Sequence, residues 1–239
     1  MSFHSFLVPC MFLGIAGAFL HLDRTYVLQV MISRPLIAST IAGAIAGDVV
    51  IGLTAGMALE LLWLGIQPLG TSIPPHDTLV SLVVPSAAIL ALRFVDTPQM
   101  STPTGVIALS ILLSLPLAGV GRVVDIRLRK NNGALLAEVK EEIGSGDITP
   151  VAKKVFKSIG IGGAWFFVIS CASVVLISSL MTYVIPVIPD RLWAGFQVIG
   201  LSIPIFGVVS MVAAGESPVG FVVSFLTACA ALFLIVGVM

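Results

Sequence analysis

The sequence predicts an all-α integral membrane protein, a polytopic helical bundle with broken or re-entrant helices. Three observations predict it. The 239 residues are 58% hydrophobic and only 10% charged, against nearer a quarter charged for soluble domains, with a mean hydropathy of +1.13. Long apolar runs alternate with short polar segments along the whole chain. The stretch from Arg34 to Asp77, RPLIASTIAGAIAGDVVIGLTAGMALELLWLGIQPLGTSIPPHD, is apolar enough for a bilayer yet holds Asp48, Glu60 and a run of glycines. A carboxylate at the centre of a bilayer costs roughly 2.5–3.5 kcal/mol even on the lenient insertion scale, so it normally faces protein or a wet cavity.

The first apolar run, Phe6 to Leu20, is short for a span of about 20 residues unless His21 and Leu22 join it. No basic segment precedes it and no small-residue cleavage site follows, so it is expected to be a mature helix. HLDRTYVLQVMISR comes next, with Asp23, Arg24 and Arg34; it is expected to be an interfacial connector or a helix buried in protein.

Pro35 to Ile66 would make a helix about 48 Å long at 1.5 Å per residue, which overshoots a hydrocarbon core of about 30 Å. A break at Gly47-Asp48 is therefore expected, giving two shorter pieces. Gly43/Gly47 and Gly52/Gly56 are GxxxG pairs, and twice in one stretch they predict dense packing. The Gly/Pro-rich segment 70–77 is too irregular to meet lipid directly.

Two further apolar runs, Leu79 to Leu92 and Gly105 to Val120, carry Pro85 and Pro116. Such helices kink or break, and are tolerated where neighbours satisfy the freed carbonyl. Eight of the twelve Lys and Arg residues fall within 122–157. By the positive-inside rule this region is cytoplasmic. Leu135, Leu136, Val139 and Ile143 recur in it at helical spacing. Thr149-Pro150 opens a second helix, with an N-cap residue and proline at the first helical position. Three more spans are expected: Ile159 to Ile185, Leu192 to Val212 and Val219 to Val238. The organisation is then an N-terminal membrane block 1–121, a cytoplasmic amphipathic loop 122–158 and a C-terminal membrane block 159–239, a layout that permits an internal repeat.

Glu60 is the leading candidate for solute contact, because its flanks MALE and LLWLG offer no basic partner. Either a cation from another segment pairs with it, or it accepts hydrogen bonds from a polar solute or an unwound backbone. Asp48 suits the end of a half-helix better than a site. Gln67, Thr71, Ser72, His76 and Asp77 supply donors and acceptors beside the Gly/Pro break, and Trp63 an aromatic face that would suit either a sugar or the interface. Each of these also fits an ordinary polar loop at the membrane face. No Walker loop, HExxH, CxxC or nucleophile elbow occurs. The histidines His4, His21 and His76 are spread along the chain and are not expected to cluster, so no metal and no cofactor is expected. Zero net charge argues against a nucleic-acid partner.

These residues carry a resemblance. RPLIASTIAGAIAGD, then ALELLWLG, then GTSIPPHDTLVSL resemble the EIIC membrane subunit of the mannose/fructose/sorbose class of sugar phosphotransferase systems. The later SLPLAGVGRVVD is similar to that family's segment entering its cytoplasmic loop. The strong part covers roughly residues 34–82. The resemblance implies a multi-pass protein of the bacterial inner membrane, working with an EIID membrane subunit as a higher oligomer. It also implies EIIA and EIIB phosphocarriers in the cytoplasm. A hexose-type sugar would cross through EIIC and EIID and take phosphate from EIIB, EIIC itself carrying no phosphorylated or catalytic residue. Glu60 and the 67–77 segment fall where the family faces its sugar. A long 23–34 segment and Pro74-Pro75-His76 depart from the pattern and leave the sugar unassigned.

Two other classes stay open on the residues alone. One is an ion-coupled secondary transporter using Asp48 or Glu60; the other is a non-transporting membrane scaffold whose glycines serve assembly.

The basic-residue bias makes a topological prediction. A cysteine at Ser145 should resist a membrane-impermeant thiol reagent applied to intact cells. Cys10, Cys171 and Cys229, all in apolar runs, should give little background. Ready labelling from outside would reverse the orientation.

Overall fold

The computed structural model describes residues 3–65, 73–95, 103–144 and 149–213. Seven α-helices occur among them: α1 (Phe3–Thr25), α2 (Pro35–Ala46), α3 (Val49–Trp63), α4 (Asp77–Phe94), α5 (Pro103–Gly144), α6 (Thr149–Val184) and α7 (Asp190–Ala213). A 3-10 turn, Ile185–Val187, ends α6. Four of the helices, α4 to α7, are long and apolar enough to cross a membrane. The span expected at Val219 to Val238 lies outside the described residues.

The long apolar stretch breaks where its length requires. α2 ends on Gly47, whose φ of 95° puts it in the left-handed region that glycine enters without steric cost. Asp48 then caps α3, accepting the Ile51 N–H at 3.0 Å. The pieces are 12 and 15 residues long, about 18 and 22 Å, and neither spans a bilayer alone. They fold back on one another as a helical hairpin. The backbones meet at two glycines: a Cβ on Gly43 would lie 2.6 Å from the Gly52 Cα, and one on Gly52 would lie 2.6 Å from the Ser39 carbonyl oxygen. The GxxxG pairs therefore serve packing within the chain.

α4 is the hub. It packs against α2, α3, α5 and α6, and every residue from Thr78 to Ala91 is buried. Pro85 within it deprives the Ser81 carbonyl of its helical donor. Ser39 Oγ of α2 donates to that carbonyl at 2.7 Å. This is how a proline survives in a buried helix, and it ties the hairpin to the hub. α1 packs on α6, and α7 on α3 and α5. Side chains on the outer faces of α1 and α6, such as Phe12, Phe19, Trp165 and Leu176, are exposed, as lipid contact requires.

The basic region is more regular than the sequence predicts. Residues 122–144 continue α5 without a break and 149–158 open α6, so the boundaries expected after 121 and 158 fall inside helices. The 42 residues of α5 extend about 63 Å, twice a hydrocarbon core, so its basic half projects beyond the membrane. The expected helical spacing of Leu135 to Ile143 and the expected start at Thr149 are both observed.

The hairpin contact predicts a sharp contrast. Gly43→Val drives side-chain atoms into the Asp48–Gly52 backbone and should cost about 3 kcal/mol. In a thermal melt of the detergent-solubilised protein it should lower Tm clearly. Gly119→Ala, where a Cβ would meet nothing within 4 Å, should leave Tm unchanged or slightly raised.

Candidate functional site

One end of the hairpin and the start of α4 meet in a continuous polar layer. It begins with Asp23, buried near the end of α1, whose two carboxylate oxygens accept Val30 N–H (2.9 Å) and Ser33 N–H (3.0 Å). These bonds hold a tight connector in which Leu28, Gln29 and Met31 adopt positive φ, a conformation that costs an L-residue about 1–2 kcal/mol. Next to Asp23, Arg24 reaches across to the segment before α4. It pairs with Asp77 and donates to Thr78 Oγ1 (3.1 Å) and to the Pro75 carbonyl (3.2 Å). Thr78 Oγ1 in turn donates to the Ser33 carbonyl at 3.0 Å. Arg34 follows, and its Nε lies 3.4 Å from Glu60 Oε1.

Glu60 thus finds its cation from another segment, one of the two outcomes the sequence left open. Its Oε2 also accepts the Leu36 N–H at 3.2 Å, capping the first turn of α2. Its side chain stays 21% exposed and Arg34 55%. Asp77 lies on the same layer through Arg24 and Thr78. Trp63 packs partly buried against the core, and Asp48 sits at the hairpin's other end as the α3 cap. Gln67, Thr71 and Ser72 lie outside the described residues.

His76 is placed differently from expectation. It is fully buried, and its backbone N–H donates to the Ala118 carbonyl of α5 at 3.0 Å. Gly121 makes room for it: a Cβ there would lie 2.9 Å from the His76 Cγ. The expectation that the histidines stay apart is overturned for two of them. His76 Nε2 lies 3.3 Å from His21 Nδ1, because α1 and the start of α4 are held together by Arg24. Both rings stack on Phe166 of α6, with centroids at 3.5 and 4.5 Å. Asp125 of α5 completes the cluster, Oδ1 standing 3.8 Å from His21 Nδ1 and 3.9 Å from His76 Nε2.

The three ligating atoms are spaced at 3.3, 3.8 and 3.9 Å, so a point about 2.1 Å from each exists, a zinc-like radius. The tautomer opposes a metal there. His76 Nδ1 accepts the Leu79 N–H at 3.1 Å, which uses its lone pair and leaves the proton of the neutral ring on Nε2. That nitrogen is a donor to His21, not a ligand. By the same logic His21 accepts at Nδ1 and carries its proton on Nε2.

Beside the cluster is a cavity of about 430 Å³ between α1, α5 and α6. His21, Thr25, Tyr26, Asp125, Asn132 and Ser158 together with the cations Arg129 and Lys154 supply its polar lining, with leucines, valines and Ile159 of α5 and α6 as apolar walls. Asn132 is held by Tyr26 and Ser158 at 3.1 and 2.6 Å. Sequence reasoning missed His21, Arg24 and Asp125 as site residues. Asp125 sits in GRVVDIRL, a carboxylate among apolar residues just past Pro116, which was the available signal.

Comparison with known proteins identifies the family. The profile described as the sorbose-specific IIC component of the phosphotransferase system matches residues 7–239. The chain belongs to that family. The mannose-specific EIIC component of Escherichia coli K12 is 29% identical over 147 residues, 62% of this chain and 47% of that protein. The sorbose-specific EIIC component of Klebsiella pneumoniae is 34% identical over 96 residues, 40% of this chain and 32% of its own length. These alignments span about half, or less, of those relatives. Among solved structures, the mannose transporter ManYZ in complex with microcin E492 matches all of this chain and 93% of its own, at a TM-score of 0.58 and 21% identity. A second membrane-protein structure matches at a TM-score of 0.66 and 22% identity, over all of this chain and 94% of that one. Both show that this IIC chain shares their fold.

The His76 seat in this IIC chain is testable. Gly121→Val fills the space His76 occupies, so it should unseat the start of α4 and lower Tm by several degrees. Gly133→Ala on the same helix, with nothing within 4 Å, should not.

Proposed function

We propose that this chain is the sugar-translocating EIIC subunit of a mannose/fructose/sorbose-type, phosphoenolpyruvate-dependent phosphotransferase system in a bacterial inner membrane. It moves a hexose-type sugar together with an EIID membrane subunit, as a higher oligomer. EIIA and EIIB supply the phosphate from the cytoplasmic side. The observation that carries this reading is the family match across residues 7–239, supported by relatives named for mannose, sorbose and N-acetylgalactosamine.

The sugar passes the polar layer at Glu60 and Asp77; Gln67, Thr71 and Ser72, expected to join them, lie outside the described residues. Glu60 suits this passage because its carboxylate is held by Arg34 and Leu36 yet remains partly open. A sugar carries no charge, but its hydroxyls donate well to a carboxylate.

The buried carboxylate of Asp125 between two imidazoles favours one competing reading, a proton-coupled secondary transporter. Uptake separates the two. In cells that also carry EIID and the EIIA/EIIB carriers, uptake should require EIIB and should survive a protonophore. Uptake without EIIB that collapses with the proton gradient would replace this reading with the secondary transporter. Hydrogen bonds to a charged group contribute roughly 1.5–3 kcal/mol each, so Glu60→Gln should slow uptake about 10- to 100-fold at 1.4 kcal/mol per decade. Membrane insertion should be normal. Unchanged uptake would remove Glu60 from the path.

A further inference from the structure

Two clefts open beside the C-terminal half of α5. The larger, of about 430 Å³, carries both signs of charge, since Asp125 lines it together with Arg129 and Lys154. Lys154 is moreover paired with Glu138 at 3.0 Å. The smaller, of about 170 Å³, is different. It is lined by Val124, Arg127, Leu128, Lys130 and Asn131 of α5 and by Trp165 of α6. Among the described residues no carboxylate lines it, and neither Arg127 nor Lys130 has an ion-pair partner. Two cations and an amide donor border a space that holds nothing negative.

The helix lengths set the depth of this cleft. Pro103 to Arg122 of α5 and Trp165 to Val184 of α6 are each about 28 Å of helix, close to the about 30 Å of a hydrocarbon core. Arg122 and Trp165 therefore mark one face of the core. Trp165 is half exposed there, as an interfacial anchor is. Arg127 and Lys130 follow about 8 and 12 Å further along α5. Helical side chains lean towards the N-terminus, which on α5 means back towards the membrane. Both cations are thus delivered to the headgroup layer, about 5–8 Å deep on each side. Val124 and Leu128 belong to one buried cluster with Phe166, which gives the cleft a packed floor. Val120, Val123 and Val168, all about half exposed, continue the apolar surface towards the core. The volume is below the roughly 300–1,000 Å³ of pockets that enclose a whole small molecule. It suits a charged head group whose remainder lies outside, on apolar surface.

We propose that this cleft seats the head group of one anionic phospholipid. Arg127, Lys130 and the Asn131 amide take its phosphate, and its acyl chains lie on Trp165 and the exposed valines. A guanidinium binds phosphate oxygens in pairs, and the lysine adds a mobile point charge. A choline head group would bring its own cation against Arg127 and Lys130, so the site selects for net negative charge. The bound lipid ties α5 to α6 at the level where both leave the membrane. None of this depends on which solute the chain moves.

The test is lipid retention by the full chain, purified with the proposed EIID subunit in neutral detergent and stripped of lipid. Dioleoylphosphatidylglycerol and dioleoylphosphatidylcholine are titrated in separately, and bound lipid is counted by native mass spectrometry. The parent should bind phosphatidylglycerol about tenfold more tightly, or better. Arg127→Gln and Lys130→Gln should each weaken that binding about fivefold, and the double variant about 30-fold, with phosphatidylcholine unaffected. Arg127→Lys, which keeps the charge, should recover most of the loss. Trp165→Ala should weaken both lipids. Arg122→Gln, a cation of the same helix outside the cleft, should change neither. Phosphatidylglycerol should raise the melting temperature of the parent by several degrees and leave the double variant's unmoved. Without lipid the two should melt alike, since neither cation makes an internal ion pair.

Four results would overturn the proposal. Equal affinity of the parent for the two lipids would remove the charge selection. An equal loss in Arg122→Gln and Arg127→Gln would replace the seat with a diffuse positive surface. Displacement of phosphatidylglycerol by millimolar sodium phosphate would make it a free-anion site. Loss of EIID or EIIB binding in the double variant, with lipid retention intact, would give the cleft to a protein partner.

Discussion

The reach of Arg24 from the last turn of α1 to the segment before α4 holds this structure together. One guanidinium engages the Asp77 carboxylate, the Thr78 hydroxyl and the Pro75 carbonyl. A partly buried arginine needs most of its five donors occupied, and a planar fork can occupy them in one direction only. The interaction therefore sets both the distance and the rotation of α4 relative to α1. His21 is on the preceding turn of α1 and His76 immediately precedes Asp77, so the same contact brings the two imidazoles together.

From that contact the polar layer spreads in two directions. Towards the hairpin, Thr78 bonds Ser33, Arg34 follows, and Glu60 joins the base of α2 to α3. Towards α5 and α6, His76 is seated on the Ala118 carbonyl and over Gly121, beside Asp125 and Phe166. The hairpin itself is fixed by backbone approach at Gly43 and Gly52 and by Ser39 donating to the carbonyl that Pro85 leaves free. Rigid apolar packing and a half-satisfied polar floor thus sit next to each other. Passing a hydrophilic solute through an apolar medium, as proposed for this chain, would call for that combination.

The unsatisfied atoms mark where the chain has not optimised its own stability. A buried polar atom without a partner costs about 1–3 kcal/mol, and helix α5 could have avoided it with a leucine at position 125. Elsewhere the buried serines and threonines mostly bond backbone carbonyls, as Ser81, Ser86 and Ser110 do. Ser114 and Ser178 leave their hydroxyls without a partner as well; His21 and Asp125 differ in lining the cavity between α1, α5 and α6.

The sequence by itself determined the helical membrane class, the break at Gly47-Asp48 and the close packing of the glycine stretch. Each follows from a local quantity: hydropathy, the length of an apolar run against bilayer thickness, and the missing Cβ of glycine. It also placed the helix start at Thr149, because cap and proline chemistry is local. The family resemblance was legible for the same reason, since its motifs are contiguous. What only the tertiary structure decided is which polar residues meet. His21, His76 and Asp125 are separated by 55 and 49 positions, and no periodicity links residues on three different helices. Glu60 looked unpartnered because its cation, Arg34, is 26 residues away across the hairpin. Asp125 was assigned to a basic loop because α5 carries its helix past the membrane, and charge counting cannot see a helix continue. Side-chain convergence is a property of helix packing angles, and those depend on contacts such as Arg24 with Asp77 that join distant parts of the chain.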